Sequence, residues 1–387
     1  MRHQAYNPLF PFVKNPEYFD LRTEKSLLQY CLGATLYMPG TKNILDKIIN
    51  KEMPEITSMV MCFEDAIDEK ELELAELNVI NHLEKINVAV ESEKLSISDV
   101  PLIFLRVRNT TQFRDFAKKM TSESVKFLSG FVFPKFATDN GADYLSTFYS
   151  LCDRLEVTLY CMPLLEGRAI AYKEIREREL MAIREILLPF KKTVLNIRIG
   201  GTDISSLFGV RRGINYSIYD ILTVRDALTD ILNFFSRVED DYVVSGPVWE
   251  YFLAHSGDNI DQILEENIHI SLLNRNQILN EAIDGLLREV ILDKANGFVG
   301  KTIIHPSHAR FVNAMQAVTK EEYDDALQIL GNSGGVIKSQ KANKMNEINP
   351  HRNWARKIMN RSKVFGVVEN DLSYLKLILG KNTDGNK

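Results

Sequence analysis

The sequence has few cysteines, and they do not follow a metal-binding pattern. Its 387 residues include four cysteines, at positions 31, 62, 152 and 161, and no two of them form a Cys-x-x-Cys pair. Two lie inside apolar runs, as is typical of reduced, buried thiols. We therefore expect neither a disulfide framework nor a cysteine zinc site.

Long hydrophobic runs and a strong net charge are also missing. No run reaches the ~20 apolar residues that a membrane-spanning helix needs. The stretch MRHQAYNPLFPFVKNPEYFD at the N-terminus lacks the apolar core of a signal peptide. The formal net charge of -5 gives no electrostatic reason to bind nucleic acid or an anionic membrane. These absences favour a cytoplasmic protein with neither nucleic acid nor membrane as a partner.

The sequence does contain short apolar runs that alternate with helical patterns. There are eight such runs: ATLYMPG, SMVMCFED, LIFLRVRN, GFVFPKF, VTLYCMPLLE, VLNIRIGGTD, YVVSGPV and TIIHPSH. Strands that alternate with helices predict a parallel sheet, and eight of them predict a closed (β/α)8 barrel, an α/β fold. A doubly wound open sheet is the structural alternative.

Most of these runs end in a polar or turn-forming group. The groups are Pro39-Gly40, Glu64-Asp65, Arg106, Pro134-Lys135, Glu166, Gly200-Gly201 with Asp203, Ser245-Gly246-Pro247 and His305-Pro306. In a barrel the carboxyl ends of all strands meet on one face, which would gather these side chains into one active site. The alternative for each is that it only marks the turn after its strand.

The two ends of the chain differ in composition from the part between them. We expect an N-terminal extension over 1–30, the barrel over 31–330, and a linker, helical flap and tail over 331–387. The stretch GNSGGVIKSQKANK has the composition of a linker, and INPHRNWARKIMNRSKVFG has a helical pattern. The final GKNTDGNK is expected to be a disordered tail.

The order of the motifs resembles that of a known enzyme family. LYMPGTK, CFEDAIDEKE, LRVRN, FVFPK, PLLEG, GGTDI, GKTIIHPSH and KMNEINPHRNWARKI together resemble the citrate lyase beta-subunit-like, or HpcH/HpaI aldolase, family of carbon–carbon bond lyases. The segments CFEDA and RIGGTD look most similar to those of a branch associated with tellurium and stress-resistance operons. The resemblance implies a TIM barrel that breaks a C–C bond beside a carboxylate by a retro-aldol or retro-Claisen route.

Glu166 and Asp203 are the candidate metal ligands. They end neighbouring predicted strands, and a pair of carboxylates with the other positions left to water and substrate suits Mg2+. The resemblance implies the same pair. The alternative for either residue is a strand-end carboxylate or a helix N-cap.

Arg106 is the principal candidate for binding a substrate carboxylate, because a guanidinium can donate two parallel hydrogen bonds to it. Arg108 departs from the VRVN pattern of the family and is expected on the same side of the strand. The resemblance implies that Asp65, with Glu64, orients the arginine and the metal-bound waters. Asp65 is alternatively the cap of the helix that follows. Lys135 is either a cation beside these carboxylates or a solvated turn residue.

The resemblance also implies a catalytic residue on the C-terminal flap. Family members carry an aspartate there that reaches a neighbouring subunit, and Glu347 is the nearest equivalent, so a homo-oligomer, a trimer by resemblance, is expected. Lys42 is the one basic residue retained after the PG motif, which makes a coenzyme A ester an open possibility. Gly201 is a further candidate for substrate contact. His305 and His308 are expected to be structural, because no third metal ligand accompanies them.

Together these features predict a Mg2+-dependent C–C bond lyase that acts on a small carboxylate or an acyl-CoA-type substrate. Two alternatives stay open. One is a CoA-thioester or phosphoenolpyruvate-type hydrolase on the same barrel. The other is a catalytically inactive barrel that serves as an assembly or ligand-sensing subunit, although Glu166, Asp203 and Arg106 are all retained.

Overall fold

The main body of the protein is a parallel sheet surrounded by helices. The computed structural model describes residues 1–252, 272, 278–339 and 344–380. Seven parallel strands pair in the order β6-β5-β4-β3-β2-β1-β7. The strands are β1 (Ala34–Pro39), β2 (Ser58–Cys62), β3 (Leu102–Arg106), β4 (Leu128–Phe133), β5 (Tyr160–Leu165), β6 (Arg198–Ile199) and β7 (Lys301–Ile303).

An eighth segment closes this sheet into a barrel. Ile197 forms a parallel bridge with Val244, and Gly246 forms another with Lys301. The segment 243–246 therefore lies between β6 and β7 and joins the two edges of the sheet. The predicted (β/α)8 barrel is confirmed, and all eight apolar runs supply its strands in chain order.

Helices fill the connections between the strands. They are α1 (Lys25–Cys31), α2 (Leu45–Ile49), α3 (Leu72–Glu91), α4 (Thr110–Lys119), α5 (Ser122–Val125), α6 (Gly141–Leu155), α7 (Arg168–Ala171), α8 (Lys173–Leu187), α9 (Gly201–Ser206), α10 (Leu222–Phe235), α11 (Glu281–Ala295), α12 (His308–Met315), α13 (Lys320–Leu330), α14 (Ile348–Phe365) and α15 (Ser373–Leu379). Short 3-10 helices cover Glu69–Glu71, Ile97–Asp99, Leu188–Phe190 and Ile218–Asp220. None of the helices in these described ranges is long and apolar enough to span a membrane.

Apolar side chains cover the sheet on both faces. All five residues of β2 are buried, which explains why its sequence is a continuous apolar run and not an alternating one. On the outer face, Phe113 of α4 packs on Phe131 of β4 with ring centroids 4.8 Å apart. Val79, Leu83 and Ile86 recur at helical spacing on α3 and are all buried. The helices are therefore fixed on the barrel by their apolar stripes.

The segment expected as a linker contains a hairpin. β9 (Val336–Lys338) pairs antiparallel with β10 (Met345–Glu347), and α14 follows directly. Ile348, Ala355 and Ile358 of α14 lie in a hydrophobic cluster with residues of α13. The expected flap is thus packed against its own chain along this face.

The N-terminal extension and the C-terminal region also contact each other. β11 (Val367–Val368) pairs with β8 (Val318–Thr319), and Lys14 forms an antiparallel bridge with Val367. His3 stacks on Phe365, with ring centroids 4.6 Å apart. The division into extension, barrel and flap stays a prediction, and 381–387 of the expected tail lie outside the described residues.

Candidate active site

A cleft of ≈ 390 Å³ opens where the barrel strands end. Of the residues predicted for the site, Asp65, Arg106, Glu166 and Asp203 line this cleft. Asp65 follows β2, Arg106 ends β3, Glu166 follows β5 and Asp203 follows β6. Closure of the barrel brings these strand ends together, as in other enzymes of this architecture.

Arg106 is held by three carboxylates. Its Nη2 atom lies 2.7 Å from Oδ2 of Asp65 and 3.9 Å from Oε1 of Glu166, and it also contacts Glu64. Its Nε atom is buried and has no hydrogen-bond partner in the described part of the chain. The guanidinium is therefore fixed in direction while one donor is left unused.

The loop between β2 and α3 is shaped so that Asp65 is free to pair with Arg106. The cap of the first helical turn is Asp68, whose Oδ1 accepts a hydrogen bond of 3.0 Å from the backbone N–H of Lys70. Asp65 therefore does not fill the capping role that was its alternative.

Arg108 has a different task from Arg106. Its Nη1 donates to the carbonyl oxygens of Phe63, at 3.4 Å, and Ile67, at 3.3 Å. These two carbonyls flank Glu64 and Asp65 in the chain, so Arg108 holds the loop that carries both carboxylates.

Lys135 connects the acidic residues of the cleft. Its Nζ contacts Glu64 and lies 3.8 Å from Asp65 and 3.9 Å from Asp203, while its backbone N–H donates to Oε1 of Glu166 at 3.1 Å. Its φ is +48°, an uncommon conformation for a residue with a side chain. Lys135 thus contacts carboxylates of the cleft, and its role in binding stays a prediction.

Glu166 is the most buried acid of the site. It is 2% exposed. The pKa of Glu166 is raised to about 8, mainly by burial and also by the nearby Asp203 carboxylate, although Arg106 and Lys135 act to lower it. A Cβ atom on Gly200 would lie only 2.0 Å from Oε2 of Glu166, so a glycine is needed beside this carboxylate.

The pair of Glu166 and Asp203 fits a divalent cation. Mg2+ takes oxygen ligands, keeps several waters and needs one or two protein carboxylates. Burial and the like charge of Asp203 both disfavour ionised Glu166, and a bound cation would offset both effects. Within 1–252, 278–339 and 344–380, no three His, Cys, Asp or Glu side chains are grouped as metal ligands.

Besides Lys135, three predicted residues do not line the cleft. Lys42 is exposed in the turn after β1, where its carbonyl accepts from Asn78 at 3.2 Å. Gly201 is buried, and a Cβ there would lie 3.2 Å from Pro247. Glu347 ends β10 and its backbone N–H donates to Nδ1 of His351. The roles of these three residues stay predictions.

The histidines after β7 make local contacts. His305 stacks on Phe252 with ring centroids 4.8 Å apart, and its Nδ1 lies 2.7 Å from Oγ of Ser307. His308 is buried at the start of α12. These contacts agree with the structural role expected from the sequence.

Three further residues of the site were not singled out by the motifs. Tyr37 and Thr302 line the cleft, and Arg198 lies beneath them in contact with Thr302. A detectable signal was present for Arg198, because it is a charged residue inside the apolar run VLNIRIGG.

Comparison with known proteins identifies the family. The sequence matches the family described as C-C Bond Lyase of the TIM-Barrel fold over residues 26–367. No curated protein matches it. The assignment to a branch associated with tellurium resistance stays a prediction.

Several solved structures are similar to this chain, and the first of them has a comparable fold. CitE from Mycobacterium tuberculosis in complex with magnesium, acetoacetate and coenzyme A has a TM-score of 0.51 and 16% identity, over 86% of this chain and 99% of that chain. The citrate lyase beta subunit from M. tuberculosis with oxaloacetate and magnesium has a TM-score of 0.43 and 15% identity, over 73% and 96%. RipC from Yersinia pestis has a TM-score of 0.45 and 13% identity, over 74% and 95%. With the family match spanning barrel and cleft, the chain belongs to the C–C bond lyases of the TIM-barrel fold.

Proposed function

We propose that the protein is a Mg2+-dependent lyase that cleaves or forms a C–C bond beside a carboxylate, in a small carboxylate or an acyl-CoA-type substrate. The main support is that Glu166, Asp203 and Arg106 meet at one cleft. The similar fold of CitE, crystallised with magnesium, acetoacetate and coenzyme A, adds to it.

Glu166 and Asp203 are the residues that would hold the metal. When bound, Mg2+ supplies a Lewis acid for the carbonyl oxygen on which negative charge develops as the bond breaks. Lys135 keeps the two carboxylates oriented, since its backbone N–H holds Glu166 and its ammonium group lies 3.9 Å from Asp203.

Arg106 binds the carboxylate of the substrate. Glu64 and Asp65 fix the direction of its guanidinium, and the residue lines the cleft. Such a contact both positions the substrate and balances its charge.

Proton transfer is assigned to Glu347 of a neighbouring copy. Within its own chain this residue lies at the end of β10, outside the cleft, so the role requires a homo-oligomer, which we propose is a trimer. Lys42 would contact the phosphates of a coenzyme A ester, because it follows β1 residues that line the cleft. Location in the cytoplasm stays part of the proposal.

The test is a product analysis with Mg2+. The protein is incubated with acetyl-CoA and a panel of 2-keto acids, and in separate reactions with phosphoenolpyruvate, and the products are identified by mass spectrometry. C–C condensation or cleavage that requires Mg2+ supports the proposal. Free coenzyme A without a new C–C bond, or phosphate release, points to the hydrolase alternative, and no turnover of any substrate points to an inactive barrel.

Metal binding is measured on the same samples. Mg2+ stabilises the folded state in proportion to its binding, so it raises the melting temperature of the wild type. The variant with both Glu166→Ala and Asp203→Ala is expected to lose this increase. An equal increase in both proteins would refute the metal assignment.

A further inference from the structure

Arg198 is a buried guanidinium whose contacts among the described residues include no acid. It lies on β6 with 1% of its surface exposed and is among the largest fully buried side chains. Burial lowers the pKa of Arg198, and Tyr37 is the one group nearby that raises it. In the described part of the chain no Asp or Glu forms an ion pair with it.

The neighbours of Arg198 are hydroxyl groups and one aromatic ring. Nη1 donates to Oγ1 of Thr35 at 3.3 Å, and Nη2 donates to Oγ1 of Thr302 at 2.5 Å. The Tyr37 ring lies over the guanidinium at 5.4 Å. These contacts come from β1 and β7, so the charge lies inside the barrel.

Stability does not account for this arrangement. An unpaired charge in the interior is unfavourable, and apolar residues of similar volume commonly serve as well or better. Arg106 shows how the same barrel compensates a guanidinium, because three carboxylates surround it. No acid of the described residues balances the charge of Arg198, so we look for its counterpart in a ligand.

Two of its neighbours connect Arg198 to the cleft. Thr302 and Tyr37 both line the cleft, whereas Thr35 does not. Because the oxygen of Thr302 accepts a hydrogen bond from Arg198, its own proton is left to donate. The hydroxyl of Tyr37 is buried, and the Tyr37 side chain interacts with Arg198. The floor of the cleft therefore offers the Thr302 hydroxyl as a donor, backed by a positive charge.

We infer that Arg198 determines substrate specificity by balancing a second negative charge, which Thr302 contacts at the floor of the cleft. Arg106 binds one carboxylate and the Arg198 floor binds another anionic group, so the substrate class is a compact dicarboxylate. Arg198 acts through Thr302 and is a positioning residue. The inference rests on the proposed function, since it names the substrate class of the same cleft.

The test compares a dianion with a monoanion by calorimetric titration in the presence of Mg2+. The probes are oxaloacetate and pyruvate, and the proteins are the wild type, Arg198→Met, Thr302→Val and Thr35→Val. Thr35→Val is the matched control, because Thr35 also accepts from Arg198 but lies away from the cleft.

The wild type is expected to bind oxaloacetate at least tenfold more tightly than pyruvate. Arg198→Met should weaken oxaloacetate binding by about ten- to a hundredfold, the range of a charged hydrogen bond, and abolish the preference. Its melting temperature without ligand should stay the same or rise. Thr302→Val should lose most of the preference, and Thr35→Val should keep it.

Other results would overturn the inference. They are no preference in the wild type, no binding of either probe, an unchanged preference in Arg198→Met, or equal losses in the two threonine variants. If Arg198→Met does not fold, the comparison of Thr302→Val with Thr35→Val tests the inference. The titrations need no turnover, so a preference that depends on Arg198 stands even if no C–C product forms, in which case the proposed function alone fails.

Discussion

Nη2 of Arg106 and Oδ2 of Asp65 lie 2.7 Å apart, although 41 positions separate the two residues in the chain. The pair joins the end of β3 to the loop after β2. It shows that Arg106, which lines the cleft, faces the acidic side of it. The arginine is thus oriented before any substrate arrives, which reduces the entropy lost on binding.

Replacing Arg106 with Lys should weaken binding of a small keto acid by about ten- to a hundredfold, because the charge remains but the paired hydrogen bonds are lost. Calorimetric titration of oxaloacetate with Mg2+ measures the change. Stabilisation by Mg2+ alone should hardly differ from the wild type, since Arg106 is not a proposed ligand. Unchanged keto acid affinity would mean that Arg106 serves only to pair with Asp65.

Gly200→Ala should remove stabilisation by Mg2+, because the new Cβ would lie 2.0 Å from Oε2 of Glu166 and displace that carboxylate. Gly167→Ala is the matched control, since a Cβ there has no atom within 4 Å and its φ is −75°. Melting temperatures with and without Mg2+ measure the effect. The glycine has no role in the metal site if both variants respond to Mg2+ like the wild type.

Glu347→Gln should abolish turnover and leave the fold intact, because the residue is exposed and its side chain caps no helix. If Glu347 serves a neighbouring subunit, hybrids co-expressed from Glu347→Gln and Arg106→Ala chains should regain part of the activity. Each variant alone is the control. Activity of Glu347→Gln equal to the wild type would remove the flap from the mechanism.

A point substitution such as Glu347→Gln tests the role of the flap better than a truncation does. Phe365 and Tyr374 are fully buried in the main hydrophobic core, and Phe365 stacks on His3. Removing the chain beyond residue 331 would therefore expose core surface and destabilise the barrel.

Stability should fall as the solution is acidified, in part through His3. Burial lowers the pKa of His3 from 6.5 to about 3, so the unfolded chain binds the proton more readily than the folded one between these values. The contribution of His3 is complete above pH 6.5 and is lost as the pH falls towards 3, by at most ~1.4 kcal/mol per pH unit.

Urea unfolding of the wild type and of His3→Phe across this pH range measures the effect. The wild type should lose stability more steeply, because phenylalanine has no proton to take up. Parallel curves for the two proteins would show that His3 does not contribute to the acid sensitivity.

The sequence by itself determined the barrel and most of the cleft. The apolar runs and helical spacings are local patterns, and the alternation of eight strands with helices is compatible with few other folds. Once the barrel is accepted, strand-end residues such as Glu166 and Asp203 must converge, because all parallel strands end on one face.

Only the tertiary structure decided which side chains pair. Arg106 and Arg108 are equivalent in a strand pattern, yet one contacts Asp65 and the other holds the loop through backbone carbonyls. Arg198 meets Thr302 104 positions away, inside a barrel that closes through two single bridges. Periodicity reports the face on which a side chain lies, whereas these contacts depend on how the closed barrel sets the distances between strands that are remote in the chain.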